Sequence, residues 1–269
     1  MLLPALASSE QASASPSREH GISEELEQAL RIRGAALVAS AGYLCKVPQA
    51  TICTAQVLLQ RFYFVSSLYN FSVADIAMGA LYLSSKLEES PVSLRDVLNV
   101  FHRLITADAT ADTEYTPMSL YGPTYYEWKD NLVVAEMQIL KRLGFDVYVQ
   151  QPYALLINYI KMLDVSSNHA VKQRAWSYVN DTLLTPCHVL FNSATIACAC
   201  LDLACRDVGV ALPATSDSST HWYQLLDCTL EEMQCVQLWL LRTYTAISTP
   251  LYHDTRTLTS KYKLRDYVH

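Results

Sequence analysis

Apolar and small residues recur at helical spacing between residues 72 and 89, and they cover nearly the whole circumference of the predicted helix. Ser72 and Asp75 form a Ser-x-x-Asp start signal, in which the hydroxyl caps a backbone N–H and the carboxylate favours the positive helix end. The apolar or small residues beyond it are Val73, Ile76, Ala77, Met78, Gly79, Ala80, Leu81, Leu83, Ser84 and Leu87. Such a helix needs neighbours on nearly every side, so the pattern predicts the central helix of a helical bundle.

The same pattern recurs at an offset of 120 residues, between residues 193 and 206, where Arg206 takes the place of Lys86. The matching pairs are Ala74 with Ala194, Ile76 with Ile196, Ala77 with Ala197, Leu81 with Leu201 and Leu83 with Leu203. Such matches also arise by chance between any two buried helices. As a repeat, however, two similar central helices imply two similar bundles.

Amphipathic patterns predict further helices around each central one. They cover residues 23–43, 49–67, 93–104 and 125–143 in the first half, and 153–163, 168–184, 221–227 and a segment from Thr229 in the second. Arg31 and Arg33 of the first segment are expected to be solvated, and residues 106–124 to form a polar loop. The sequence thus predicts an all-α protein of two tandem five-helix bundles.

The predicted bundles divide the chain into four parts. Residues 21–150 form the first bundle and residues 151–247 the second. Residues 1–20 are rich in Ser and Ala and are expected to be a disordered lead, because they hold too little apolar surface to fold alone. Residues 248–269 are expected to form a weakly basic tail that favours solubility.

Composition and charge narrow the class of function. The chain has 269 residues, of which 51% are hydrophobic and 17% charged, so it can bury a substantial core. Its net charge of -6 argues against a phosphate-binding face over the whole protein. The sequence contains no run of about 18 apolar residues, which is the length that would indicate a membrane span. The sequence shows no Gly-rich phosphate loop, no catalytic Ser-His-Asp or Cys-His spacing and no metal-ligand cluster, so neither enzymatic activity nor a cofactor is expected.

The 8 cysteines contain no Cys-x-x-Cys spacing. Because most of them lie among apolar helical residues, they are predicted to be buried free thiols of an intracellular chain rather than disulfides or zinc ligands. The residues with this prediction are Cys45, Cys53, Cys198, Cys200, Cys205 and Cys235.

One charged residue is out of place in the fifth predicted helix. On a helical projection, Glu136 falls between Ile139 and Leu140, in the middle of the apolar stripe. A carboxylate at such a position must be paired within the protein or must face a partner. The two alternatives are an internal ion pair with Lys129 or Lys86, and a contact with another molecule.

Four segments resemble the successive signatures of a cyclin box in the transcriptional branch of the cyclin family. They are LLQRFYFVSSL (58–68), ALYLSSKLEESP (80–91), LRDVLNVFHRL (94–104) and EMQILKRLGFDVYVQQP (136–152). The resemblance is stronger still to cyclin L, through VPQATICTAQVLLQRFYF (47–64), LRDVLNVFH (94–102), YVNDTLLT (178–185) and TIACACLDLACR (195–206). It runs from about residue 23 to residue 247 and implies two tandem cyclin boxes.

The resemblance implies a regulatory subunit without chemistry of its own, which activates a cyclin-dependent kinase of the PITSLRE type in the nucleus. Lys86 and Glu136 match the family pair that faces the kinase and bonds to its mobile catalytic-lobe helix. Leu87, Leu140, Phe145 and Val147 match the apolar positions that pack around the same kinase helix. The implied process is transcription by RNA polymerase II and pre-mRNA processing, with splicing or polymerase-associated proteins as further partners and no direct contact to nucleic acid.

Two features separate the chain from related proteins. Cell-cycle cyclins carry an acidic residue where this chain has Gln60, and a Met-Arg-Ala-Ile-Leu patch in their first helix where this chain reads LRIRGAALV (30–38), so docking of Arg-x-Leu substrate motifs is not expected. The alternative function is a scaffold resembling transcription factor IIB, which uses the same double fold to grip DNA and polymerase. Such a scaffold would be basic and preceded by a zinc ribbon, and the sequence shows neither feature.

Two dipeptides match the substrates of proline-directed kinases. They are Ser15-Pro16 in the lead and Thr116-Pro117 in the predicted loop. Dipeptides of this kind are also common in loops that are never modified, so the sequence leaves both alternatives open.

Overall fold

The computed structural model describes residues 6–8, 11, 14–109, 118–119, 121–212 and 221–268, and every regular element within these ranges is a helix. The chain divides into two compact units. The first unit comprises Ser8–Tyr148 and Ala246–His269, and the second comprises Met1–Ala7 and Val149–Thr245. In the described ranges, no helix combines the length and the apolar character that crossing a bilayer requires.

The elements follow one another as the hydrophobic pattern predicts, with short additional helices at both ends of the chain and at Cys187–Leu190. In chain order they are α1 (Pro16–Glu19), α2 (Glu24–Leu44), α3 (Gln49–Val65), α4 (Val73–Leu87), α5 (Leu94–Ala109), α6 (Pro123–Arg142), α7 (Tyr153–Met162), α8 (His169–Thr182), α9 (Cys187–Leu190), α10 (Ser193–Val208), a 3-10 turn (Gln224–Leu226), α11 (Leu230–Ile247), α12 (Pro250–Asp254) and α13 (Lys261–Val268). Of the predicted loop at residues 106–124, residues 110–117 and 120 lie outside the described residues, Thr116 among them, whereas residues 106–109 belong to α5 and residues 123–124 to α6. The predicted all-α fold is confirmed.

Each unit is built around one largely buried helix. Helix α4 starts at Ser72, whose hydroxyl accepts a hydrogen bond from the Asp75 N–H at 3.3 Å, and 11 of its 15 residues are buried. Helix α10 has 11 buried residues of 16. Both central helices predicted from the repeat are therefore present, and small side chains such as Ala77 and Ala197 allow other helices to approach them closely.

Helices α4 and α6 come into backbone contact at Gly79. A Cβ added at Gly79 would lie 2.8 Å from the Cβ of Ala135, 3.1 Å from the Ala135 carbonyl carbon and 3.0 Å from the Glu136 nitrogen. These atoms belong to a helix backbone and a methyl group, which cannot rotate away. Glycine is therefore required at residue 79 because of packing, not because of its backbone angles.

The last residues of the chain belong to the first unit and are not a free tail. Helices α12 and α13 form there, and Leu258 and Leu264 are buried. The expectation of a tail that serves solubility alone is wrong for the described residues 248–268. The two helices have only 5 and 8 residues, which is too short for a clear hydrophobic period.

The C-terminal segment also completes the start of the central helix. The carbonyl oxygen of Thr259 accepts hydrogen bonds from the Ser72 hydroxyl at 2.9 Å and from the Ala74 N–H at 3.4 Å. The Arg265 Nε donates to the Tyr69 carbonyl oxygen at 2.9 Å. Since the first N–H groups of a helix have no partner within it, Thr259 supplies an acceptor that α4 cannot provide for itself.

The beginning of the chain is ordered earlier than expected. Structure was expected to start near Ser23, yet α1 spans Pro16–Glu19 and the side chains of Ser15 and Ser17 are buried. The expected disorder is therefore wrong for residues 14–20, whereas most of residues 1–13 lie outside the described part of the chain. Polar side-chain contacts hold this segment in place, and a hydrophobic pattern cannot predict contacts of this kind.

The cysteine predictions hold for most positions. Cys53, Cys198, Cys200 and Cys205 are buried, and Cys45 is half-buried. Burial raises the pKa of the Cys45 and Cys205 thiols to about 11, which keeps both protonated near neutral pH. Cys235 is exposed, so its predicted burial is wrong: the buried face of α11 lies on the opposite side of the helix, at Met233 and Leu240.

We expect Gly79→Ala to lower the free energy of unfolding by about 1–3 kcal/mol, because the new methyl group would overlap Ala135 and force α4 and α6 apart. Urea unfolding followed by circular dichroism measures the change. Gly122→Ala is the control, since a Cβ at that position makes only ordinary contacts, the nearest at 3.4 Å from the Ser119 carbonyl oxygen. Equal stability of the two variants would contradict the close approach.

We expect Leu264→Ala to lower the free energy of unfolding by about 2–5 kcal/mol, because Leu264 is only 2% exposed and its removal leaves a cavity. The control is Tyr262→Ala in the same helix, where the side chain is 65% exposed and truncation removes little packing. Thermal unfolding of both variants makes the comparison. A C-terminal segment that does not stabilise the first unit would give two variants of the same melting temperature.

Candidate functional site

The six residues predicted as a partner-binding set lie at the end of α4, along α6 and in the segment that follows α6. Lys86 and Leu87 are the last residues of α4. Glu136 and Leu140 lie on α6, and Phe145 and Val147 follow it. All six belong to the first unit.

Lys86 and Glu136 form an ion pair between α4 and α6. The Lys86 Nζ lies 2.6 Å from Glu136 Oε1, and 4.0 Å from the centre of the Tyr82 ring. The side chain of Lys86 is 45% exposed and that of Glu136 is 16% exposed. Of the alternatives left open by the sequence, the internal ion pair with Lys86 is thus present. Because both charges stay in contact with solvent, the pair is expected to contribute only about 0–1 kcal/mol to stability.

The matching position of the second central helix is paired differently. Arg206, which takes the place of Lys86 in the repeat, lies 2.9 Å from Asp202 of the same helix. A bond between residues four apart stabilises one helix, whereas the Lys86–Glu136 pair joins two helices. The repeat therefore preserves the cation but not its role, because Arg206 pairs within its own helix.

Several apolar side chains on the same elements as the ion pair are accessible to another molecule. Leu87 and Phe145 are exposed, and Leu140 and Val147 are half-buried. Three further exposed residues extend the surface, and the sequence prediction missed them: Val133, Met137 and Tyr148. Val133 and Met137 precede Leu140 at helical spacing, so the period that identified Glu136 also carried the signal for them. We call the six predicted residues and these three the α4–α6 surface, which thus consists of Lys86, Leu87, Val133, Glu136, Met137, Leu140, Phe145, Val147 and Tyr148.

Phe145 has a backbone conformation that is unfavourable for a bulky residue. Its φ angle is 63°, directly after Gly144 at 59°, so two successive residues are left-handed. The Phe145 N–H donates to the Leu140 carbonyl oxygen at 2.9 Å and closes the end of α6. The left-handed region costs a residue with a Cβ about 1–2 kcal/mol, yet the side chain is 72% exposed and gains little packing in return. Strain of this kind is often found at functional sites.

Arg61 holds the segment after α6 against the rest of the first unit. The Arg61 Nη1 donates to the Tyr148 carbonyl oxygen at 2.7 Å. Burial lowers the pKa of Arg61, and the nearby Asp146 carboxylate partly offsets this. The sequence analysis did not single out Arg61, although an arginine within the apolar run LLQRFYF indicates a buried polar contact.

The chemistry of the α4–α6 surface is that of a binding face. It presents one ion pair and several apolar side chains, and it includes no serine, cysteine or histidine nucleophile. In the described ranges, no group of three or more His, Cys, Asp or Glu residues is arranged to hold a metal ion. An apolar patch around a partly buried charge pair suits the recognition of another protein surface.

The chain matches known proteins in sequence over most of its length. The cyclin N-terminal domain family matches residues 5–148, more than half of the chain. Cyclin-L2 of Mus musculus is 37% identical over 238 residues, which is 88% of this chain and 45% of that protein. Cyclin-L1 of Homo sapiens is 38% identical over 236 residues, again 88% of this chain but 44% of that protein. The chain therefore spans less than half the length of these relatives.

Two solved structures share the fold. A chain of the crystal structure of the yeast RNA Pol II CTD kinase CTDK-1 complex aligns with a TM-score of 0.69 over 91% of this chain and 74% of that chain. A chain of the CAK complex from Chaetomium thermophilum bound to ATP-gamma-S aligns with a TM-score of 0.64, over 98% of this chain and 90% of that one. Both are 17% identical to this chain, a level that establishes the fold alone. Together with the domain match, these likenesses make the two bundles tandem cyclin folds, and the chain belongs to the cyclin family.

Proposed function

We propose that this chain is a cyclin L-like regulatory subunit that binds and activates a cyclin-dependent kinase. The kinase acts in transcription by RNA polymerase II and in pre-mRNA processing, and it is of the PITSLRE type. The similarity to cyclin-L1 and cyclin-L2 supports this assignment. So does the shared fold with a chain of an RNA Pol II CTD kinase complex. The corresponding compartment is the nucleus, with splicing or polymerase-associated proteins as further partners.

The observation that carries the proposal is the Lys86–Glu136 ion pair, together with the exposed apolar residues on the elements that hold it. A pair that served the fold alone could be replaced by apolar side chains at little cost. Here the carboxylate lies between Leu140 and Ile139, with Leu87 exposed next to Lys86. This arrangement suits a partner that brings its own hydrogen-bonding groups to the pair and covers the surrounding apolar residues.

In this proposal the chain activates its kinase by differential binding. The α4–α6 surface binds the kinase conformation in which the ATP-binding lysine and its glutamate partner are paired and the activation loop is released. A ligand shifts such an equilibrium only by its difference in affinity for the two states. A shift from mostly inactive to mostly active needs a preference of roughly 5 kcal/mol. An apolar interface with a few anchor residues can supply it, and Phe145, with its rigid and exposed ring, is the best candidate anchor.

Native co-purification tests the class of partner. The tagged chain is recovered from nuclei of the cells that produce it, and the bound proteins are identified by mass spectrometry. A cyclin-dependent kinase in stoichiometric amount would support the proposal, and a PITSLRE-type kinase would support its finer part. Polymerase and promoter factors without any kinase would instead favour a scaffold resembling transcription factor IIB, which a strongly salt-dependent DNA affinity would then corroborate.

We expect Glu136→Lys to reduce kinase activation at least about tenfold and to lower the free energy of unfolding by only about 1 kcal/mol. The substitution removes the carboxylate that the kinase would bond and places two ammonium groups side by side. Activation is measured as the rate of peptide phosphorylation by the reconstituted complex, and stability by urea unfolding.

The double exchange Lys86→Glu with Glu136→Lys separates the two roles of the pair. It restores an internal ion pair, so stability should recover, while activation should stay low because the charges that face the kinase are reversed. Asp207→Lys is the matched control, since Asp207 pairs with Arg174 at 2.8 Å on the second unit. Recovery of activation in the double exchange would show that the pair serves the fold alone.

We expect Phe145→Gly to weaken kinase binding about tenfold without lowering the melting temperature. Glycine adopts the left-handed conformation of residue 145 without strain. Phe145→Ala is the comparison: it removes the same ring but keeps a Cβ, so it should be about 1 kcal/mol less stable than the glycine variant. Calorimetric titration with the kinase and thermal unfolding provide the two measurements. Unchanged affinity in both variants would exclude Phe145 from the interface.

A further inference from the structure

The hydroxyl of Ser15 is buried against a carboxylate. Ser15 is 3% exposed, and its Oγ donates to Glu27 Oε2 at 2.6 Å. The same Oγ accepts the Arg18 N–H at 3.3 Å, which makes Ser15 the N-cap of α1. One short hydrogen bond thus links the N-cap of α1 to α2.

Glu27 is the centre of a small buried network. Its Oε1 lies 2.7 Å from the Arg31 Nη2, and its Oε2 lies 3.3 Å from the Arg18 Nε. The same Arg31 nitrogen donates to the Tyr63 carbonyl oxygen at 2.7 Å. Arg31 is therefore buried, and its expected solvation is wrong. Because burial of a charge is costly, the bonds that Ser15 and Arg18 make to Glu27 contribute to holding α1 in place.

Residues 15–18 read Ser-Pro-Ser-Arg. A serine directly before a proline, with a basic residue at the third position after it, is the pattern that proline-directed kinases phosphorylate. We propose that Ser15 is a phosphorylation site for a proline-directed Ser/Thr kinase, and that its phosphorylation releases α1 from the first unit. The inference rests on the contacts of α1 and does not depend on the proposed function.

The reaction is an ordinary phosphoryl transfer from Mg-ATP. The Ser15 Oγ attacks the γ-phosphorus, a new O–P bond forms, and the bond to the bridging oxygen breaks so that ADP leaves. The hydroxyl proton goes to the catalytic base of the kinase. The product carries a charge of about -1.5 to -2 near neutral pH.

Ser15 becomes available to a kinase when α1 opens, and few contacts oppose this opening. Helix α1 has only four residues and lies near the beginning of the chain. Besides the bonds to Glu27, the Ser17 Oγ accepts the Leu68 N–H at 3.1 Å, and the His20 ring stacks on Tyr69 at 5.3 Å. Short segments that are held by few contacts open locally at a much lower free energy than the whole domain. The Leu68 N–H loses its partner whenever α1 leaves, which makes it a reporter of the opening.

A phosphorylated Ser15 cannot return to its place. The Oγ is buried and lies within hydrogen-bond distance of Glu27, so a phosphate would have to displace neighbouring atoms. It would also place a dianion beside a carboxylate. Arg18 and Arg31 together carry two positive charges, fewer than the roughly three negative charges of the phosphate and Glu27 at this site. Repulsion and loss of space both favour the released state.

The test phosphorylates the full chain in vitro with a purified proline-directed kinase and Mg-ATP, and locates the phosphate by tandem mass spectrometry. Hydrogen exchange is then compared between phosphorylated and unmodified protein. We expect the amides of residues 17–22 and of Leu68 to lose protection at least about tenfold, while the central helix α4 keeps its protection. Ser15→Ala should remove the phosphate from this segment.

A second variant tests whether opening of α1 limits the reaction. Ser17→Ala leaves the serine, the proline and the arginine of the motif in place but removes the acceptor of the buried Leu68 N–H. We expect it to raise the rate of Ser15 phosphorylation about fivefold or more, as the loss of one buried hydrogen bond implies. Glu24→Gln is the control, because Glu24 pairs with Arg18 at 3.5 Å from an exposed position and should leave the rate nearly unchanged.

Two results would overturn the inference. If Ser15 stays unmodified in the full chain and in the Ser17→Ala variant, it is not a phosphorylation site. If Ser15 carries the phosphate but residues 17–22 and Leu68 exchange as slowly as before, the modification does not release α1. Loss of protection in the phosphorylated chain, with faster modification of the Ser17→Ala variant, would support both parts.

Discussion

The close approach of α4 and α6 at Gly79 is the constraint on which the first unit depends. A methyl group at residue 79 would collide with Ala135, so the two helices can approach this closely only because glycine lacks one. The contact also determines the positions of the charged side chains of α4 and α6. Glu136 follows Ala135 directly, and its carboxylate reaches Lys86, about two helical turns beyond Gly79. Packing of two backbones thus positions the ion pair, and the ion pair itself contributes little to that packing.

Side-chain polarity then distinguishes the two ends of the central helix. At its beginning, Ser72 and the carbonyl group of Thr259 take up backbone N–H groups that would otherwise be unpaired. At its end, Lys86 pairs with Glu136 of α6 and Leu87 is exposed. The beginning is therefore closed by the protein itself, whereas the end offers exposed apolar groups to a partner. The proposed binding function lies at the end of the helix where apolar side chains remain exposed.

Much of this could be predicted from sequence, because strong periodicity determines both central helices. The phase of α6 alone marked Glu136 as misplaced, and the structure pairs it with Lys86. Three other features could not be predicted. The left-handed conformation of Phe145 goes against the preference of a residue with a Cβ, so the residue type gave no signal for it. The burial of Arg31 depends on Glu27 and on a carbonyl group of α3. The C-terminal helices are too short for a period and depend on distant partners such as Tyr69.

The contribution of Thr259 to the first unit has a consequence for synthesis of the protein. The first unit is discontinuous in sequence, because Val149–Thr245 lies between its two parts. A ribosome makes Ser72 long before Thr259, so the start of the central helix stays incomplete while the whole second unit is produced. Folding in the order of synthesis would then finish the second unit first. A chain that stalled before its last helices would expose to chaperones and proteases a nearly complete bundle that lacks its C-terminal contacts.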